Sequence, residues 1–192
     1  MIGILALQGA FEEHGKCFSR LGEKTKEIRQ KKDFSDVTAL VIPGGESTVI
    51  SKLLQELDLY EVIRQAINDG MCVFGTCAGM ILLGSSIEQH ENNSKVVPFS
   101  AIEMTVSRNA YGRQLSSFQT RGTFSGEDCE MVFIRGPIAK TVADDVEILS
   151  VVDENIVAVR QGNCLATAFH PELTNDLTVH QYFLDMIHEG KK

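Results

Sequence analysis

Three short apolar runs in the first half of the chain each end in a glycine-containing turn that leads into a segment with helical spacing. The runs are Ile2 to Leu7, Val37 to Ile42 and Met71 to Phe74. Apolar residues recur at helical intervals after the first two turns, and the apolar Met80-Ile81-Leu82-Leu83 follows the third. Strand–loop–helix units in series predict a parallel sheet with helices on both faces. The chain is therefore predicted to have an α/β fold, a three-layer sandwich with a mostly parallel central sheet.

The second half has a different pattern, because short β-type runs follow one another without helices between them. These runs are Ala101 to Val106, Ser117 to Phe124, Glu130 to Ile134, Val146 to Val152, Ile156 to Arg160 and Cys164 to Phe169. Asp153-Glu154-Asn155 and Gln161-Gly162-Asn163 are typical of hairpin turns. We therefore expect an antiparallel extension of the sheet, closed by a helix over Leu177 to His188. No linker separates the halves, so residues 1–192 are predicted to form a single domain.

The charge balance excludes several classes of partner. The chain has 18 Lys and Arg against 26 Asp and Glu, a net charge of −8. Clustered cations, which nucleic acid or anionic lipid would require, are limited to Lys31-Lys32 and Lys191-Lys192. No signal peptide or membrane-spanning run is recognisable, and the five scattered cysteines include no Cys-x-x-Cys pair. We expect a cytoplasmic protein with no metal site, no bound cofactor, and neither a nucleic-acid nor a membrane partner.

The strongest local signal is Gly75-Thr76-Cys77-Ala78-Gly79, between a buried strand and a helix. Small residues on both sides permit a sharp turn that lifts the thiol out of the sheet, as in a nucleophile elbow, and the Ala78 N–H can face an oxyanion. A free cysteine is more commonly a buried apolar residue. The elbow pattern favours Cys77 as a nucleophile, whereas Cys17, Cys72, Cys129 and Cys164 have no such context.

A cysteine nucleophile needs a base and a group that orients the base. In Phe169-His170-Pro171-Glu172, the positions two apart share one side of an extended segment, so His170 and Glu172 can lie together. Taken alone, the His-Pro-Glu motif is weak evidence for a catalytic base. The other histidines, His14, His90, His180 and His188, lie in helical or polar contexts and are interpreted as surface or core residues.

A paired glycine follows the second predicted strand in Pro43-Gly44-Gly45-Glu46-Ser47-Thr48. Adjacent glycines free backbone N–H groups to point at one acceptor, which can form an oxyanion site. Ser47 is predicted to cap a helix that runs through Leu57 and, after a break, to Ile67. Asp69-Gly70 is predicted to end that helix.

Together these segments resemble the triad-type, or class I, glutamine amidotransferase family, and within it the glutaminase subunits of pyridoxal 5'-phosphate synthase. The resemblance covers nearly the whole chain. Its motifs are Leu7-Gln8-Gly9-Ala10, Pro43-Gly44-Gly45-Glu46-Ser47-Thr48, Phe74-Gly75-Thr76-Cys77-Ala78-Gly79, Arg108-Asn109-x-x-Gly112-Arg113-Gln114, Phe133-Ile134-Arg135 and Phe169-His170-Pro171-Glu172-Leu173.

The resemblance implies hydrolysis of L-glutamine to L-glutamate and ammonia, with the ammonia passed to a separate synthase subunit for vitamin B6 biosynthesis. It implies Cys77 as nucleophile, His170 as base and Glu172 as the orienting group, with oxyanion donors at Gly45 and Ala78. The residues implied around the glutamine are Gly45, Glu46, Ser47, Arg108, Ile134 and Arg135.

Two other functions compete with this interpretation. A DJ-1-like cysteine hydrolase or deglycase also uses a Gly-x-Cys-x-Gly elbow on an α/β sheet, but it leaves the His-Pro-Glu motif and the Arg108 segment unexplained. A non-enzymatic regulatory subunit could use Cys77 only as an oxidisable redox sensor. Release of ammonia from glutamine distinguishes the three.

Overall fold

A computed structural model describes residues 1–88, 96–108 and 117–190 of the chain. The strands in these ranges are β1 (Ile2–Leu5), β2 (Thr25–Ile28), β3 (Ala39–Ile42), β4 (Cys72–Thr76), β5 (Gly84–Glu88), β6 (Ile102–Ser107), β7 (Ser117–Phe124), β8 (Glu127–Ile134), β9 (Ile138–Val142), β10 (Glu147–Val152), β11 (Asn155–Gln161) and β12 (Cys164–Thr167). The helices are α1 (Phe11–Arg20), α2 (Ser47–Glu56), α3 (Tyr60–Asn68), α4 (Ala78–Leu83) and α5 (Thr178–Glu189), with short 3₁₀ turns at Lys31–Phe34 and Pro171–Leu173.

Most of the strands form one large sheet in the order β2-β1-β3-β4-β12-β11-β9-β6-β5, with β10 paired to β11. The strands from β2 to β12 in this order are all parallel. Beyond β12 the pairs are antiparallel from β12 through β11 and β9 to β6, and the last pair, β6 with the edge strand β5, is parallel. The hairpin of β7 and β8 forms a separate two-stranded sheet. The predicted α/β fold, with a mostly parallel sheet and an antiparallel extension in the second half, is confirmed.

Helices cover the parallel strands, because every residue of β1, β3, β4 and β12 is buried. In one layer, α1 and α5 meet through Phe18 and Phe183, whose ring centroids lie 6.3 Å apart. Phe183 also packs at 5.5 Å from Phe74 of β4. In the other layer, α2 packs against α3 and α4. The sheet therefore positions the C-terminal end of β4 between two helical layers.

The sequence missed three strands, two of which are the edges of the sheet. In β2 only one residue of four is buried, and in β5 two serines are exposed. Edge strands face solvent and are commonly polar, so they lack the apolar run from which a strand is recognised. The third missed strand, β9, has one buried residue out of five.

The helical segment after the glycine pair is broken as expected, since α2 ends at Glu56 and α3 begins at Tyr60. Asp69 and Gly70, with φ of +90°, end α3 as predicted. The prediction that Ser47 caps α2 was wrong. Glu46, in extended conformation, is the cap residue, so Ser47 is the first helical residue and its side chain is buried. Among the helices of the described ranges, none has the length and apolar character needed to cross a bilayer.

Candidate active site

Cys77 lies in the sharp turn between β4 and α4. Its backbone adopts φ 49° and ψ −98°, a left-handed conformation that costs a non-glycine residue on the order of 1–3 kcal/mol. A Cβ on Gly79 would overlap the carbonyl oxygen of Ile42, so only glycine permits this approach of α4 to β3. The Cys77 N–H donates to the Thr167 carbonyl at 2.8 Å. The strained turn is therefore fixed by packing against strands on both sides.

His170 and Glu172 lie together, although Glu172 belongs to the 3₁₀ turn Pro171–Leu173 and the predicted extended segment was wrong. His170 Nδ1 and Glu172 Oε1 are 2.7 Å apart, and both residues are buried. Burial lowers the pKa of His170, but hydrogen bonds with Cys77 and Glu172, together with their charges, raise it by more, to about 10. With Nδ1 bonded to Glu172, the ring presents Nε2 to the sulfur. A cationic imidazole beside a sulfur favours the thiolate, which is the nucleophilic form of cysteine.

Three of the other cysteines, Cys17, Cys129 and Cys164, have environments that suit unreactive thiols. Burial raises the pKa of Cys164 to about 12, and burial with the nearby Asp176 raises the pKa of Cys129 to about 12. Burial also raises the pKa of Cys17. Thiols that stay protonated are poor nucleophiles. Cys77, by contrast, interacts with the imidazole of His170, which Glu172 holds in turn.

The glycine pair lies directly against the cysteine and histidine. A Cβ on Gly44 would overlap Cε1 of His170 and lie 3.3 Å from the Cβ of Cys77. The Gly44 N–H donates to Thr76 Oγ1 at 2.9 Å, and the Glu46 N–H donates to Gln8 Oε1 at 2.6 Å. Both N–H groups that flank Gly45 are thus tied to side chains. No described residue accepts a hydrogen bond from the Gly45 N–H, and Gly45 is exposed.

The residues predicted around the substrate are only partly brought together. The Ile134 carbonyl lies 3.9 Å from Cys77 Sγ, and Arg135 follows in a left-handed conformation with φ of 50°. Glu46 is exposed beside the glycine pair, whereas Ser47 is buried at the start of α2. Arg108 follows β6, four strands from β4 in the sheet order. The rest of its motif, Asn109, Gly112, Arg113 and Gln114, lies outside the described residues.

Two buried histidines behind Glu172 were not linked to the site by the sequence. His14 of α1 and His180 of α5 are both fully buried, and His14 Nε2 lies 3.5 Å from Glu172 Oε2. A histidine on the apolar face of α1, beside the buried Cys17 and Phe18, was the available signal. By contrast His188 is exposed, and His90 lies outside the described residues.

Comparison with known proteins decides the family. The model of the SNO glutamine amidotransferase family matches residues 4–189. The chain belongs to this family. It is 48% identical to "Pyridoxal 5'-phosphate synthase subunit PdxT" of Streptococcus pneumoniae (strain CGSP14), covering 100% of this chain and 99% of that protein. It is 50% identical to the protein of the same name from Haemophilus influenzae (strain PittEE), covering 96% and 97%.

A solved structure described as a crystal structure of glutamine amidotransferase superposes with a TM-score of 0.90. It is 40% identical in sequence and covers 97% of this chain and 98% of its own. Family membership confirms the resemblance that the motifs carried. It favours a glutamine amidotransferase over both a DJ-1-like hydrolase and a non-enzymatic redox sensor.

Proposed function

We propose that the chain hydrolyses L-glutamine to L-glutamate and ammonia, and that it supplies the ammonia to the synthase subunit of a pyridoxal 5'-phosphate synthase. The observation that carries the proposal is the arrangement of three residues in a member of the glutamine amidotransferase family. Cys77 is held in a strained turn beside His170, and His170 is hydrogen-bonded to the buried Glu172. The relatives named as synthase subunits, at 48% and 50% identity over nearly their full lengths, support the proposed partner.

In the proposed reaction, the Cys77 thiolate attacks the side-chain amide carbon of glutamine. The carbonyl becomes an oxyanion, and His170 gives a proton from Nε2 to the amide nitrogen as the carbon–nitrogen bond breaks. This step releases ammonia and leaves a γ-glutamyl thioester on Cys77. His170 then takes a proton from water, the resulting hydroxide attacks the thioester, and glutamate leaves as the thiolate is restored.

Glu172 orients the base in this scheme. Its Oε1 accepts from Nδ1 of His170, so the exchangeable proton is the one on Nε2, which faces the sulfur. Since the carboxylate is buried, its negative charge stabilises the imidazolium without competition from water. Glu172 therefore fixes both the tautomer and the charge of His170.

The proposed oxyanion donors are the backbone N–H groups of Gly45 and Ala78. Ala78 follows the nucleophile directly, which is the usual place for one donor of a nucleophile elbow. The Gly44 N–H is occupied by Thr76 Oγ1, so Gly45 is the donor available in the loop. For the glutamine itself we propose contacts with Gly45, Glu46, Ser47, Arg108, Ile134 and Arg135. The two arginines would balance the α-carboxylate and the charge that develops at the amide.

The proposed setting is the reducing cytoplasm. All five cysteines are free, and disulfides are uncommon in that compartment.

The test combines the purified chain with its purified synthase partner and measures glutamate and ammonia released from glutamine. Hydroxylamine added during turnover intercepts a thioester as γ-glutamyl hydroxamate, and mass spectrometry of the quenched protein locates the acyl group. We expect stoichiometric glutamate and ammonia, and an acyl group on the peptide containing Cys77. The absence of ammonia release in the assembled complex would refute the proposed function, and an acyl group on another cysteine would refute the assignment of the nucleophile.

A further inference from the structure

Two buried histidines, together with Thr76, lie beside the Glu172 carboxylate, and the mechanism above uses neither histidine. His14, Thr76 and His180 are each fully buried. His14 Nδ1 lies 3.0 Å from His180 Nε2, and His14 Nε2 lies 3.3 Å from Thr76 Oγ1. Three elements of the fold, α1, β4 and α5, thus bring polar groups together inside the core.

The Glu172 carboxylate has one oxygen to which this group could donate a hydrogen bond. Oε1 is bonded to His170, but Oε2 is buried and has no hydrogen-bond partner among the described residues. Leaving a buried charged oxygen without a donor is costly. His14 Nε2 faces Oε2 at 3.5 Å, slightly beyond a good hydrogen bond. A small movement of the carboxylate or the ring would complete the contact.

The two buried histidines are neutral at physiological pH. Burial, with the charges of His180 and His170, lowers the pKa of His14 well below its ordinary value. Burial and the nearby Arg20 lower the pKa of His180 to about 4. A neutral imidazole has one N–H donor and one lone-pair acceptor. The 3.0 Å contact between the rings therefore requires one histidine to donate and the other to accept.

The surroundings select the direction of this hydrogen bond. If His14 donated from Nδ1, its Nε2 lone pair would face the carboxylate, and the Nδ1–H of His180 would be a buried donor without a partner. If His180 donates from Nε2, His14 carries its proton on Nε2, facing both Glu172 Oε2 and Thr76 Oγ1. The Nδ1 lone pair of His180 and the Thr76 hydroxyl proton are then left without partners among the described residues, but the buried charge on Glu172 Oε2, which is the costlier group to leave unpaired, faces a donor.

We propose that His14, held in the Nε2–H tautomer by His180, is a positioning residue that donates to Glu172 Oε2 and so fixes the carboxylate that orients His170. The inference rests on the proposed function, since it assigns His170 as the base. The same N–H faces Thr76 Oγ1, which accepts the Gly44 N–H at 2.9 Å. One buried imidazole thereby contacts both the acidic end of the triad and the hydroxyl that anchors the oxyanion loop.

The role predicts a change in pH dependence that simple packing does not. Glu172 helps to raise the pKa of His170 to about 10. If the carboxylate loses its second donor and becomes loosely held, the pKa of His170 falls, and the alkaline limb of kcat/KM moves to lower pH. The titratable groups that face His170 are Glu172, Cys77 and His14, and those packed behind Glu172 are Cys17, Glu13, His180 and Arg20.

The kinetic test compares two substitutions of His14 in the complex with the synthase subunit. His14→Gln places an amide N–H near the position of Nε2, whereas His14→Asn places its donor near Nδ1 and cannot reach Glu172. We expect His14→Asn to lose roughly tenfold in kcat, with KM for glutamine changed less than about twofold and the alkaline limb lower by about one pH unit. His14→Gln should recover most of this loss. The control is His188→Asn at the exposed end of α5, which should behave as wild type.

Thermal unfolding of all variants accompanies the kinetics. Equal loss of activity in His14→Asn and His14→Gln with an unchanged pH profile would overturn the proposal in favour of a packing role, and wild-type kinetics in His14→Asn would overturn it outright. A second measurement is independent of activity and of variant folding. Long-range ¹H–¹⁵N spectra of the histidine-labelled wild-type chain should show a protonated Nε2 and a bare Nδ1 on His14 between about pH 6 and 8. A proton on Nδ1 would refute the proposal even if glutaminase activity is present.

Discussion

The groups proposed to react are buried, whereas most of the groups proposed to recognise glutamine, with the exception of the buried Ser47 and the half-buried Arg108, are exposed. Cys77, His170 and Glu172 are 7%, 6% and 5% exposed. Ile134 is 41% exposed, and Arg135 is exposed beside it. Buried groups are held by their neighbours whether or not substrate is present, whereas exposed side chains take a fixed position only when a ligand or a partner binds them. We therefore expect the reacting groups to be held in place by the core and the recognising groups to become ordered when glutamine binds.

The most severe test of the buried region is removal of its nucleophile. Cys77→Ser should reduce turnover roughly 10⁵-fold, because a hydroxyl is a far weaker nucleophile than a thiolate in this position. The side chain is nearly the same size, so the melting temperature should change little. Ammonia release by the complex and thermal unfolding are the measurements. Cys164→Ala, a buried cysteine of β12, is the control that should retain turnover, and substantial activity in Cys77→Ser would contradict the mechanism.

Changes at the base and at its orienting carboxylate should differ in size. His170→Asn should cost roughly 10⁴-fold in kcat, and Glu172→Gln at least about tenfold less, because removing a base costs more than misorienting it. Steady-state rates of the two variants in the complex measure the difference. Rates for Glu172→Gln equal to those of wild type would count against a triad.

The sequence revealed those parts of the proposed site whose residues are close together along the chain. Gly75 to Gly79 and His170 to Glu172 each place their chemistry within a few residues, so closeness along the chain was enough to pair them, although His170 and Glu172 meet through a 3₁₀ turn and not through strand alternation. The contact between His14 and His180 joins residues 166 apart, and neither neighbourhood carries a catalytic pattern. The edge strands β2 and β5 were missed for a related reason, since pairing in the fold, and not an apolar run, makes them strands. The residue that starts α2 was mispredicted because the Glu46 N–H donates to the Gln8 side chain, a contact with another segment that the local sequence does not reveal.

The oxyanion loop lies at the boundary between the two environments, since Gly44 is buried and Gly45 is exposed. The N–H groups of Gly44 and Glu46 are tied to Thr76 and Gln8, so the peptide joining Gly44 to Gly45 is the one whose N–H has no acceptor among the described residues. We expect the free chain to hydrolyse glutamine about 10²–10³-fold more slowly than the complex, the usual cost of one missing oxyanion donor. Parallel assays with and without the synthase subunit measure this ratio. Full activity in the free chain would refute gating and leave the triad assignment intact.

A methyl group at the buried end of that loop should disturb the base directly. Gly44→Ala would place a Cβ against the His170 ring, so we expect about 10²-fold lower kcat from the displaced imidazole. The matched control is Gly15→Ala in α1, where the added Cβ would lie 3.6 Å from Thr25 Oγ1, an ordinary contact. Alanine is favoured over glycine within a helix, so this control should keep its activity and unfold at the same or a higher temperature. Equal kinetics in both variants would show that the loop is not packed against the base.

The smallest expected effect belongs to the recognition region. Arg108 follows β6, and its cation is proposed to balance the α-carboxylate of glutamine. A cation that binds substrate and transition state equally changes KM and leaves kcat nearly constant. Arg108→Ala should therefore raise KM for glutamine roughly tenfold, the value of one charge-assisted contact, while kcat and the melting temperature change little. Saturation kinetics of the complex, alongside thermal unfolding, measure this directly. A large loss of kcat at unchanged KM would show that Arg108 takes part in the reaction and not in substrate recognition, which would contradict the contrast between the two regions. Unaltered kinetics would show that Arg108 is not part of the site.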